Sequence, residues 1–106
     1  MRSVCVVLLL LAVSYPHLAR ADDRQECLNA DSDPLLAISA CTRLLGNGNR
    51  HMKPADAYYY RGLAFAELKE WRHAQIDFEK ALELDQNHKG AARQLKELLD
   101  DERISK

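Results

Sequence analysis

Residues 55–88 read ADAYYYRGLAFAELKEWRHAQIDFEKALELDQNH, and this stretch decides the fold. Its apolar residues recur at three- and four-residue spacing, the mark of amphipathic helix. Pro54 opens a first helix running to about Leu68, with Tyr58, Gly62 and Phe65 on one face. A tight turn at Lys69-Glu70 leads to a second helix, Trp71 to Leu84, with Ala74, Phe78, Ala81 and Leu82 on its apolar face. Gly62 stands out because glycine inside a helix costs about 1 kcal/mol relative to alanine. That cost asks for a reason in packing. Burial of each large side chain is worth about 1.5–3 kcal/mol, enough to offset the propensity loss.

Outward from this pair the chain stays helical, and no stretch alternates apolar and polar residues as a half-buried strand does. DDRQECLNA, residues 22–30, is a short amphipathic helix. Asp33-Pro34 starts another, since Asp caps and Pro suits the first helical position. That helix places Ala37, Cys41 and Leu44 on one face, and GNGN at 46–49 stops it. Residues 50–53, RHMK, read as linker. A last helix, Lys89 to about Ile104, turns Ala92, Leu95, Leu98 and Leu99 inward.

The first 21 residues have a different character. Arg2 precedes an apolar run from Val4 to Val13, and the segment closes on Ala19-Arg20-Ala21. This is the layout of a secretory signal peptide with cleavage after Ala21. The apolar run is shorter than the roughly 20 residues a membrane-spanning helix needs. Cleavage removes Arg2 and Arg20 and no acid, so 15 basic residues become 13 against 16 acids, a net charge of about −3. No basic stripe of the kind nucleic-acid binding requires is present, and membrane insertion after cleavage is not expected. Of three cysteines, Cys27 and Cys41 remain. An even count in an exported chain predicts a disulfide, here across two antiparallel helices whose turn lies near Ser32-Asp33. The chain-entropy model puts such a loop at about 3 kcal/mol.

Residues 55–88 closely resemble one tetratricopeptide repeat. The family's aromatic-x2-Leu-Gly-x2-aromatic element appears as Tyr58, Arg61, Gly62 and Phe65, and its Ala-x3-Phe element as Ala74 and Phe78, followed by Ala81. The resemblance implies a close crossing of the two helices with Gly62 against Ala74, around which Tyr58, Phe65 and Phe78 close. KALELDQN, residues 80–87, resembles the family's ending with Gln86 in place of proline. Two departures are local: Arg61 replaces leucine, its stem packing and its guanidinium reaching outward, and Gln75 replaces an apolar residue. A shift of 37 residues lays Ala37 on Ala74, Cys41 on Phe78, Leu44 on Ala81, Leu45 on Leu82 and Leu28 on Phe65. This weaker copy has Gln25 where the glycine would stand. The expected architecture is an all-α, tetratricopeptide-like stack of antiparallel helix pairs. Residues 1–21 are the signal peptide and 22–106 the domain. Within the domain, 22–48 form a degenerate repeat, 55–88 a full one, and 89–104 a solvating cap.

The resemblance implies a non-catalytic, exported module, periplasmic or secreted, acting as an adaptor or assembly factor. It would bind a peptide or protein in the groove lined by the first helix of each pair, or self-associate into a homo-oligomer that enlarges the groove. Groove residues carried over on that basis are Tyr59, Leu63 and Glu67, with Asp56 and Ala66 at the edges. The 37-residue shift adds Asp22 and Glu26, and a 34-residue shift adds Arg93 and Glu97. Tyr59 and Tyr60 have a second reading, as packing residues against the neighbouring pair or the cap. The asparagine that grips a tail carboxylate in some relatives is absent, Tyr60 standing in its place. A secreted, disulfide-bearing Sel1-like array is a rival, disfavoured by the 34-residue period and the KALELD ending.

Catalytic patterns are weak by comparison. His51, His73 and His88 lie apart, and with Cys27 and Cys41 show no zinc-ligand spacing. The cysteines are 14 apart rather than Cys-x-x-Cys, which argues against a redox or metal-dependent enzyme built on them. Glu67, Glu70, Asp77, Glu79 and Glu83 beside Lys69, Arg72 and Lys80 read as solvated charge. No phosphate loop or nucleophile elbow is present, and no cofactor or metal is expected. The export reading predicts a mature N-terminus at Asp22, measurable by intact mass or Edman sequencing of the exported protein. An N-terminus at Met1 or a membrane-retained form overturns it.

Overall fold

The computed structural model describes residues 21–46, 48 and 51–101. Residues 1–20 of the expected signal peptide, residues 47, 49 and 50 of the expected helix stop and linker, and the end of the expected cap, 102–104, lie outside the described residues. Five helices follow in order: α1 Ala21–Leu28, α2 Pro34–Gly46, α3 Pro54–Glu67, α4 Trp71–Leu84 and α5 Lys89–Asp100. Each packs mainly on its neighbour in sequence, α3 on α4 most extensively, giving an all-α stack of antiparallel pairs. None is long and apolar enough to cross a membrane, among the described residues.

Local chemistry sets the ends. The Asp33 carboxylate accepts from the Leu36 amide at 3.2 Å, a side-chain N-cap ahead of Pro34. Pro54 occupies the first turn of α3. That helix closes in a Schellman arrangement, with the Glu70 amide on the Phe65 carbonyl and the Lys69 amide on Ala66, both at 2.9 Å. The left-handed position, φ 61°, falls to Lys69, where glycine is usual. The α5 N-cap is His88, whose Nδ1 accepts from the Ala91 amide at 3.1 Å.

The core is dominated by small residues. Ala37, Ala40, Ala57, Ala64, Ala74, Ala81 and Ala91 are fully buried, so backbones lie close and a few large groups fill what remains. Phe78 is the largest fully buried side chain. A Cβ at position 62 would stand 2.6 Å from Phe78 Cε1 and 3.2 Å from Asp77 Cβ. Gly62 is therefore a packing residue, but its nearest partners are Phe78 and Asp77 rather than Ala74. The Cδ1 and Cε1 atoms of the Phe78 ring occupy the space that a Cβ at position 62 would need.

Arg61 and Asp77 correct the sequence reading. The guanidinium turns inward, Nε and Nη2 each meeting a separate oxygen of Asp77 at 2.8 Å, and Nη1 reaches Thr42 Oγ1 at 3.2 Å. Asp77 is 2% exposed and not solvated. The Arg61 plane also lies over Tyr58, 5.3 Å from the ring centroid. The hydrogen bonds that Arg61 donates to Asp77 hold its pKa above the usual value against the effect of burial. One residue thus ties α2, α3 and α4 together.

The α5 face also differs from expectation. Ala91 and Leu98 are buried and Leu95 is half-buried, while Ala92 is exposed and Leu99 is 52% exposed. Stripes 91-95-98 and 92-95-99 both satisfy helical spacing. Tyr59 selects between them: its ring abuts Gly90, where a Cβ would stand 2.8 Å from Tyr59 Cζ. That contact fixes the rotation of α5.

At the other end α1 brings little apolar surface, with Cys27 its one fully buried apolar residue. It is fastened instead by a Cys27–Cys41 disulfide, Cα atoms 4.9 Å apart, and by buried Asp23 accepting from Arg43 at 2.7 and 3.1 Å. The Asp23 hydrogen bonds raise the Arg43 pKa. Thr42, between the two fastened residues Cys41 and Arg43, meets Arg61, so the fastening is continuous with the α3–α4 pair.

Gly62→Ala, which helix propensity alone would favour by about 1 kcal/mol, is expected to destabilise by about 1–3 kcal/mol through the clash with Phe78. An unchanged or raised thermal midpoint overturns the close-approach assignment. Asp77→Ala is expected to cost about 3–5 kcal/mol by stranding the Arg61 charge, and the double variant Arg61→Leu, Asp77→Ala to recover most of that loss. Additive losses in the double-variant cycle would show that the pair is not coupled.

Candidate binding groove

On the face where groove residues were expected, α1 and α5 flank α3. Tyr59 is half-buried on α3, its ring centroid 4.8 Å from His88, 6.1 Å from Phe78 and 5.1 Å from Tyr60. Burial pushes its hydroxyl above the usual pKa, Tyr60 and Glu97 acting in the same sense and Arg93 against. Leu63 packs against two clusters at once, one around Phe78 and Ala81 and one formed by Ala30, Ala37 and Ala64. Both side chains are half-built into the stack rather than held free for a ligand.

His88 joins α5 to α3. Its Nδ1 accepts the Ala91 amide, which leaves the proton on Nε2 to donate to Asp56 Oδ1 at 2.9 Å. Asp56 is thereby fixed at the start of α3. Glu26 is turned toward α2, 3.4 Å from Arg43. Glu67 is exposed in the last turn of α3, and Arg93 and Glu97 are exposed on α5. The expected groove residues therefore fall into three places: Tyr59, Leu63 and Asp56 in the α3–α5 contact, Glu26 on Arg43, and Glu67, Arg93 and Glu97 in solvent. Among the packing residues, Phe65 stacks on His73, ring centroids 5.0 Å apart.

Sequence reasoning missed a cleft where α1 meets the segment before α3. Arg24, Leu28, His51, Met52, Lys53, Asp56 and Tyr60 line a hollow of about 260 Å³. Tyr60 and Met52 form its floor and pack on the Cys27, Ala40, Cys41, Leu44 cluster, with Met52 Sδ 3.9 Å from Cys27 Sγ. Arg24 and Leu28, four residues apart, share one face of α1, while Asp23 and Glu26 turn to Arg43. The available signal was the run His51-Met52-Lys53, in which polar and apolar side chains reach one hollow because the segment bends there.

Cys27 and Cys41 are fully buried and bonded to each other, and the described residues hold no group of three or more His, Cys, Asp or Glu side chains placed to share a metal ion. No curated protein and no solved structure matches the chain. The family described as tetratricopeptide repeat, whose members mediate protein–protein interaction, matches residues 55–88. That span is α3, its Schellman turn, α4 and the residues up to the α5 cap, so the chain carries a tetratricopeptide repeat with α3 and α4 as its two helices.

Proposed function

We propose that the mature chain is an exported, non-catalytic interaction module that holds a peptide or protein partner on the face where α3 stands between α1 and α5. The observation that carries this reading is the tetratricopeptide repeat itself, a scaffold whose general role is protein–protein interaction. Export is supported by the N-terminal charge and apolar pattern and by a disulfide suited to an oxidising compartment. The Cys27–Cys41 disulfide is fully buried, which suits a structural bond rather than one open to thiol exchange.

The surface left open on this face is a polar rim around partly buried apolar side chains. Glu67, Arg93 and Glu97 stand in solvent, and Tyr59 and Leu63 expose part of themselves between them. A small rim of this kind suits micromolar binding rather than a permanent complex. A photoreactive benzoylphenylalanine at position 67 or 93 is expected to crosslink a partner in the exporting cell. The same residue at Lys80, on exposed α4 surface where that lysine pairs with Glu83, is expected to give none. Equal crosslinking from position 80, with none from 67 and 93, overturns the placement.

A further inference from the structure

We infer that the α1–α3 cleft is a docking site for an acidic peptide segment that also carries an aliphatic side chain. This rests on the interaction-module reading and names the chemistry of its partner. Arg24 from α1 and Lys53 from the start of α3 both line the hollow, together with His51 and with Met52, Tyr60 and Leu28 as its apolar side chains. Among the described residues neither Arg24 nor Lys53 makes an ion pair, whereas Arg43 and Arg61 are each committed to buried carboxylates. The acids nearest the cleft are turned away or engaged: Asp23 and Glu26 face Arg43, and Asp56 on the cleft edge accepts from His88.

This local balance opposes the global one. The mature chain is net acidic, so its overall field attracts basic peptides and repels acidic ones. A preference for an acidic ligand must then come from a local site. Two exposed cations and a few apolar side chains line one small hollow, so a segment carrying carboxylates beside one aliphatic anchor suits it. The α1 wall is held by the Cys27–Cys41 bond and the Asp23–Arg43 pair, so both Arg24 and Leu28 are presented on a fastened element rather than a loose end. Preorganisation of this sort lowers the ordering cost of binding.

The test uses fluorescein-labelled ten-residue peptides and fluorescence anisotropy with the mature disulfide-bonded chain. A peptide of alternating Glu and Leu is expected to bind at least about tenfold tighter than its Lys–Leu and Glu–Ser counterparts. Arg24→Glu and Lys53→Glu are each expected to weaken Glu–Leu binding by about tenfold with an unchanged thermal melt, both sites being exposed. Lys80→Glu, remote from the cleft, is expected to leave it unchanged. Equal or tighter binding of the Lys–Leu peptide, or unaltered affinity in both charge-reversed variants, overturns the site. A partner crosslinked from positions 67 or 93 that is retained by the Arg24→Glu, Lys53→Glu double variant would sink this inference while leaving the interaction-module reading intact. Cleft binding without any crosslink from those positions would overturn the placement of the partner against Glu67 and Arg93 while leaving the cleft assignment intact.

Discussion

The contact between bare backbone at Gly62 and the ring of Phe78 sets the distance between α3 and α4, and the rest of the stack is built on that distance. Arg61 and Gly62 are neighbours, as are Asp77 and Phe78, so closing one contact brings the other pair together. A wider crossing would leave Asp77 buried with its partner out of reach, which is the most expensive outcome for a carboxylate in the interior. The aromatic packing and the ion pair are therefore one unit. Through Thr42 the unit extends to α2, and through the Phe78–Tyr59–Gly90 sequence of contacts it extends to α5.

The two ends of the chain are attached by different physics. At the C-terminal end α5 contributes apolar surface, and Tyr59 orients it while His88 caps and anchors it. At the N-terminal end α1 is too short and too polar to be held by burial, since a helix of eight residues carrying ADDRQECL offers few apolar contacts. A disulfide and a buried Asp–Arg bond take over that role. Small domains with insufficient core commonly rely on covalent fastening, and here it is placed where the core is thinnest. Both fastenings use one turn of α2, at Cys41 and Arg43, and meet α1 at two points, Cys27 and Asp23, so α1 is fixed in position and in rotation.

Much of this was legible in the sequence. Asp33-Pro34 and Pro54 mark helix starts by chemistry that acts within a single turn, and α2, α3 and α4 begin where those signals and the apolar period put them. The all-α stack and the antiparallel pairing follow from the same local rules. What failed required knowledge of a partner on another helix. Asp77 reads as solvated because it sits among Glu79, Lys80 and Glu83, and only the position of Arg61 across the crossing shows otherwise. Gly62 reads as a close-approach residue correctly, but periodicity gives a face and not the axial offset, so Ala74 was named in place of Phe78. The α5 stripe was ambiguous for a similar reason, two stripes fitting one period until Tyr59 chose between them. The cleft was invisible because its residues come from a helix, a bend and a second helix that share no periodic pattern.

The use of Tyr59 and Leu63 in the stack has a consequence for recognition. A central aromatic–aliphatic pair that already packs on His88, Phe78 and three alanines has only part of its surface left to offer a partner. Anchoring by deep burial, which concentrates energy in a few residues, is then less available on this face than in a groove whose floor is free. On the reading proposed above, charge does more of the work: Arg24 and Lys53 line the α1–α3 cleft, and Glu67, Arg93 and Glu97 are exposed on α3 and α5. Exposed charges contribute to encounter rate and partner choice more than to lifetime. The proposed module would then select partners rapidly and reversibly by charge pattern, its apolar side chains being committed to holding the stack together.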